Sequence, residues 1–200
     1  MAAVDFYFST LSPFTYLAGR RPWEIAARHG VTLNLKPLDI IALFPRTGGT
    51  PPAQRHPARQ EYRLIEMQRQ AAALGMPINL KPAHWPTNAA PSSYAIIAAQ
   101  AAGGGDLAQL VTSILSACWA EEKDIADDAV IRACLDGAGF DPALADSGLL
   151  AGAETYAQNL EDAVTAGVFG APFWVTADGA RFWGQDRLAD LDAHLAGGQA

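Results

Sequence analysis

Strand-like sequence is confined to the two ends of this chain. Val4-Asp5-Phe6-Tyr7-Phe8 and Val31-Thr32-Leu33-Asn34-Leu35-Lys36-Pro37-Leu38 carry strand signals near the start, and Phe173-Trp174-Val175-Thr176 and Arg181-Phe182-Trp183 carry them near the end. A lone hairpin or strand pair is at best marginally stable in water, so the two ends must combine into one sheet. Whatever lies between has to leave that sheet and return to it. Two hundred residues suit one domain, or one domain carrying a large insertion.

The intervening sequence reads as helix. After the first strand, Ser12-Pro13 opens a helical pattern that runs through Ala27 and stops at Gly30. Ser is a favoured N-cap, and Pro is favoured at the first helical position because its missing N–H costs nothing there. Strand, helix and strand then form a βαβ unit. From Asp39 to Pro57 the pattern gives way to a loop rich in Gly and Pro, of a length that is usually functional or mobile. Ala58 to Leu74 suits an amphipathic helix ended by Gly75 and Pro77, and Leu80 to Asn88 is irregular. Further helices are predicted over Ser92–Ala102, Asp106–Ala120 and Asp127–Ala138, each opened by a Ser or Asp able to cap it, then from Asp141 and from Ala153 to Ala166. An Asp178-Gly179 hairpin signal joins the last two strands, and Asp186 to Leu195 closes the chain as a helix. The order β-α-β, helices, β-β-α predicts an α/β chain with a thioredoxin-like fold and a large all-helical insertion domain. Residues 1–57 and 167–200 form the thioredoxin-like part and 58–166 the insertion.

Charge and cysteine usage narrow the function. A formal charge of −7 disfavours nucleic acid or an anionic membrane as partner, because both need clustered Lys and Arg. A small molecule is the expected ligand. No run approaches the ~20 apolar residues of a membrane span, and nothing at the N-terminus looks like a cleavable signal. Cys118 and Cys134 lack Cys-x-x-Cys spacing and suit buried core thiols in a reducing cytoplasm. No metal site is expected from His29, His56, His84 and His194, whose spacing fits no ligand set. No P-loop, dinucleotide fingerprint or Gly-x-Ser-x-Gly elbow is present, and Glu121-Glu122 and Asp127-Asp128 read as a solvated face and a cap.

Three stretches could carry chemistry. Ser12 stands at a helix start beyond a strand's carboxyl end, where open α/β sheets place ligands and where a helix dipole favours an anion such as a thiolate. A bare cap is the simpler alternative. In Val168-Phe169-Gly170-Ala171-Pro172-Phe173, a proline directly before a strand is compatible with a cis peptide that turns the Ala171 backbone toward a ligand, and equally with a trans proline that stops a helix. In Trp183-Gly184-Gln185-Asp186-Arg187, Asp186 can cap the last helix and take an ammonium while the helix N–H groups take a carboxylate. A surface Asp-Arg pair explains it as well.

Together these stretches resemble the 2-hydroxychromene-2-carboxylate isomerases, relatives of the kappa-class glutathione transferases and the DsbA-type oxidoreductases. Phe6 to Leu17, the Thr47-Gly48-Gly49-Thr50-Pro51-Pro52 loop, Val168 to Pro172 and Trp183 to Arg187 carry the likeness. The resemblance implies a glutathione-dependent cis-trans isomerase of aromatic catabolism, cytoplasmic and homodimeric, in which glutathione thiolate adds reversibly to a conjugated pyruvate side chain. A glutathione transferase and a non-catalytic glutathione-binding protein are the alternatives. By the same resemblance Ser12 stands where redox relatives carry the reactive cysteine and hydrogen-bonds the glutathione sulfur, with Thr15 at the second cysteine position. Ala171 and Pro172 would bind glutathione along its backbone, and Trp183, Gly184, Gln185 and Asp186 would hold its γ-glutamyl end. On the aromatic side, Phe44, Trp85 and Asn88 are the candidates. Arg46 would replace the family's lysine as the cation for a substrate carboxylate, since the matching positions read Pro45 and Gly49.

Overall fold

In the computed structural model, which describes residues 3–197, four strands form one mixed sheet in the order β2-β1-β3-β4. β1 (Ala3–Phe8) pairs in parallel with β2 (Thr32–Pro37) and antiparallel with β3 (Phe173–Thr176), and β3 pairs antiparallel with β4 (Arg181–Trp183). β1 therefore lies inside the sheet, which explains its nearly continuous apolar run.

The alternation of β1 supplies both faces of the sheet. Val4, Phe6 and Phe8 point into the larger core with Leu17, Leu35 and Trp174, where the Phe6 ring stacks on Trp174 at 5.1 Å. Tyr7 points the other way, into a smaller core with Leu38, Leu43, Phe44, Val168 and Phe173. The larger core also takes in Leu110, Ile114 and Trp119 of α6 (Leu107–Trp119), so apolar packing is continuous from the sheet into the helical part. Among the described residues no helix is long and apolar enough to cross a membrane.

The helices between β2 and β3 are α3 (Ile40–Arg46), α4 (Pro57–Leu74), α5 (Ala90–Ala102), α6, α7 (Asp128–Gly137), α8 (Leu144–Ser147) and α9 (Leu149–Ala166). Several local expectations are corrected. The first helix is two, α1 (Pro13–Ala18) and α2 (Arg21–His29), broken at Gly19, whose φ of 56° lies in the left-handed region. The Asp39–Pro57 loop contains α3, capped by Asp39, whose carboxylate accepts the N–H groups of Ile41 and Ala42. Ser92 does not cap its helix: α5 starts at Ala90, and the buried Ser92 hydroxyl lies 3.1 Å from Thr10 Oγ1. The helix expected from Asp141 is the single turn α8, and α9 begins at Leu149. Asp186 does not cap the final helix α10 (Leu188–Leu195) but sits in the 3₁₀ turn before it. Cys118 and Cys134 are free and buried, and burial pushes their thiols up to about 12 and about 11.

Candidate active site

Ser12 leaves β1 with an extended backbone, and its Oγ accepts the Thr15 N–H at 3.1 Å, which fixes the side chain over the first turn of α1. The same hydroxyl donates to the Ala171 carbonyl at 3.2 Å. This bond joins the first and second candidate stretches across the sheet. The Ala171–Pro172 peptide is cis. Among the described residues the Ala171 N–H has no protein acceptor, while the Pro172 carbonyl accepts the Gly184 N–H at 3.0 Å. The third stretch is thereby tied to the other two. Thr15 is buried, and its Oγ1 has no partner among the described residues.

The six residues of α1 carry less aligned dipole than the long helix the sequence suggested, and any such field fades within a turn. An anion above Ser12 would depend on individual donors, here the Ser12 hydroxyl.

Beyond Pro172 the surface is shaped by contacts that a side chain would block. A Cβ on Gly170 would stand 2.4 Å from Trp183 Nε1. The exposed Trp183 ring also meets Phe169 edge-on, at 4.9 Å between centroids. Gly184 has φ 101° and ψ 145°, and a Cβ there would lie 2.4 Å from Asp186 Oδ1, so glycine lets the exposed Asp186 carboxylate fold back over the turn. Gln185 points inward. Its Oε1 accepts from Arg21 at 2.8 Å and its Nε2 donates to Gln70 at 2.9 Å, so its side chain braces α2 and α4 and leaves only its backbone for a ligand.

On the other side, Trp85 Nε1 donates to the Leu11 carbonyl at 3.1 Å, one residue before Ser12. Its half-buried ring packs on Trp119 and lies beneath the Arg63 guanidinium, 5.3 Å from the ring centre. Asn88 accepts the Ala90 N–H and borders a hollow of about 220 Å³ with Leu11, Asp39, Ile41 and Tyr156. Phe44 is buried under Gly49, where a Cβ would approach its ring to 2.7 Å, and Arg55 lies 5.2 Å from its ring centre. Arg46 forms a two-pronged pair with Glu161 on α9, at 2.5 and 2.8 Å. The cations nearest the aromatic wall are thus Arg55 and Arg63, which the sequence reading missed. Arg59 and Arg63 fall four apart on α4, which was the available signal for Arg63, whereas Arg55 precedes that helix and carried none.

Among the described residues no group of three or more His, Cys, Asp or Glu suits a metal ion. A strand–Ser-Pro–helix edge facing a cis-proline turn, with helices inserted between β2 and β3, defines a thioredoxin-class protein. The family model described as DSBA-like thioredoxin domain matches residues 3–196. Within that class the chain belongs to the family of the 2-hydroxychromene-2-carboxylate isomerases. It is 30% identical to the Sphingobium xenophagum protein of that name over 195 residues, covering 96% of this chain and 97% of that one. It is 29% identical to the Pseudomonas putida protein over 200 residues, covering 96% and 93%. A solved 2-hydroxychromene-2-carboxylate isomerase superposes with a TM-score of 0.77 at 26% identity, covering 97% of this chain and 94% of that one.

Proposed function

We propose that this protein is a glutathione-dependent cis-trans isomerase acting on a 2-hydroxychromene-2-carboxylate or the related trans-o-hydroxybenzylidenepyruvate. The relatives' shared name supports the isomerase. The glutathione reading rests on the Ser12 hydroxyl meeting the Ala171 carbonyl at 3.2 Å beside an unpartnered Ala171 N–H. A peptide backbone laid along Ala171 would accept that N–H, and its thiol would lie by Ser12.

Bound glutathione would supply a thiolate whose reversible addition to the conjugated alkene turns a double bond into a rotatable single bond. Ser12 serves the sulfur and does not attack. An alkyl hydroxyl titrates far above neutral pH, and a helix terminus contributes only about 0.3–1 kcal/mol, too little to ionise it. With glutathione bound, its one O–H would turn from the Ala171 carbonyl to S⁻, which favours the nucleophilic form at neutral pH. Thr15 at the second position brings no thiol, so the chain has no disulfide to exchange there. Exposed Asp186, held over Gly184, suits the ammonium of a γ-glutamyl group, and Trp183 offers that group an apolar face.

Calorimetry with reduced glutathione tests the reading. Binding at millimolar concentration or tighter is expected, and Asp186→Ala should weaken it by about 1.5–3 kcal/mol, the range for a charged hydrogen bond, with solvent exposure favouring the lower end. Absence of binding at millimolar glutathione would remove the proposal.

A further inference from the structure

Of the 14 Lys and Arg residues, eight are ion-paired among the described residues. Arg55, Arg59 and Arg63 are among the six that are not, although acids outnumber bases by 21 to 14. Of these three, Arg55 and Arg63 are partly buried. Each guanidinium lies over an aromatic ring, Arg55 over Phe44 and Arg63 over Trp85. Arg55 also donates to the Thr50 carbonyl at 2.8 Å. Arg63 makes no hydrogen bond to any described residue.

Electrostatics make this partly buried pair receptive to an anion. Burial, and then the neighbouring charge of Arg55, lower the Arg63 pKa to about 10, and the guanidinium stays charged at neutral pH. Arg55 is lowered in turn by its own burial and by Arg59. A ring beneath a cation offsets part of the lost hydration. It does nothing for the repulsion between the two cations, which an anion between them would relieve.

The geometry points to a carboxylate-binding site formed by Arg55 and Arg63 above Phe44 and Trp85, one hydrogen bond removed from the Ser12 turn through Trp85 and Leu11. Planar aromatic acids match it in both respects, since the guanidinium forks take a carboxylate and the guanidinium plane can stack on an aryl ring. The inference rests on the isomerase reading for its expected ligand, an aryl carboxylate. The glycyl carboxylate of glutathione has the same chemistry. Arg46, bound to Glu161, gives up that role.

Binding without turnover separates these claims. Calorimetric affinities of cinnamate and of its uncharged amide should differ by about tenfold or more in the wild type, in favour of the acid. Arg55→Gln and Arg63→Gln should each abolish most of that preference, and Arg63→Lys should restore part of it. Thermal melts of each variant report separately on any loss of packing over Trp85. If the acid preference is unaffected while glutathione loses its advantage over its glycine amide, the carboxylate held is that of glutathione, and the site stands. A preference that survives both Gln substitutions in both ligand pairs, or that Arg46→Gln abolishes instead, overturns the site. Either result leaves the glutathione dependence of turnover to its own test.

Discussion

At Ser12 one oxygen accepts from Thr15 and donates to Ala171, and the two bonds make separable predictions. Asp caps a helix as well as Ser does, so a residue that only caps would tolerate Ser12→Asp. A carboxylate beside a thiolate repels it and raises the thiol pKa. The account therefore expects the thiolate absorbance of bound glutathione to titrate at higher pH in Ser12→Asp and in Ser12→Ala than in the wild type. Ser12→Ala should also cost about 1 kcal/mol of stability as a lost cap. Three superimposable titrations would reduce Ser12 to a cap. The capping half of this role was legible in Ser12-Pro13 because it is local. Sequence offered nothing comparable for Arg46, whose partner Glu161 is 115 positions away and is set by how α3 packs on α9.

Among the elements, the segment that brings Trp85 to Ser12 has no regular structure and is held by polar staples. Asn79 N–H donates to the Trp119 carbonyl at 2.7 Å, and Ala83 N–H donates to the carboxylate of Glu122. Thr87 Oγ1 donates to Asp124 at 2.6 Å, and Asp124 also accepts the Ala126 N–H at 3.0 Å. These bonds hold the Asp124 carboxyl below its usual range. Asp124→Ala should cost about 1 kcal/mol, given the side chain's partial exposure. It should also speed amide exchange across residues 80–88 while leaving glutathione affinity unchanged. Unchanged exchange there would mean that packing of Trp85 on Trp119 positions the segment alone. Glu122, read from sequence as solvated surface, is one of these staples, and its backbone is left-handed at φ 57°. The succession of strands and helices along the chain was largely readable from periodicity and turn residues. α3 was obscured by Pro45 and the glycines after it, although Ile40, Leu43 and Phe44 fall on one helical face.

For the whole molecule, the sheet and the inserted helices share one apolar core, in which Phe6 and Phe8 of β1 belong to the same cluster as Leu110 and Trp119 of α6. Urea unfolding followed by near-ultraviolet and far-ultraviolet dichroism should give coincident single transitions. Two separated transitions would make the helical part an independently folding unit. That shared core fixes the Ser12 turn against the Ala171 turn, and the central claim is that this junction uses glutathione as a recycled cofactor. The direct measurement is turnover of 2-hydroxychromene-2-carboxylate followed by absorbance with and without glutathione, with free thiol counted before and after many turnovers. The account predicts isomerisation that requires glutathione and leaves the thiol count unchanged. Isomerisation at full rate without glutathione, or loss of one thiol for each substrate consumed, would contradict it.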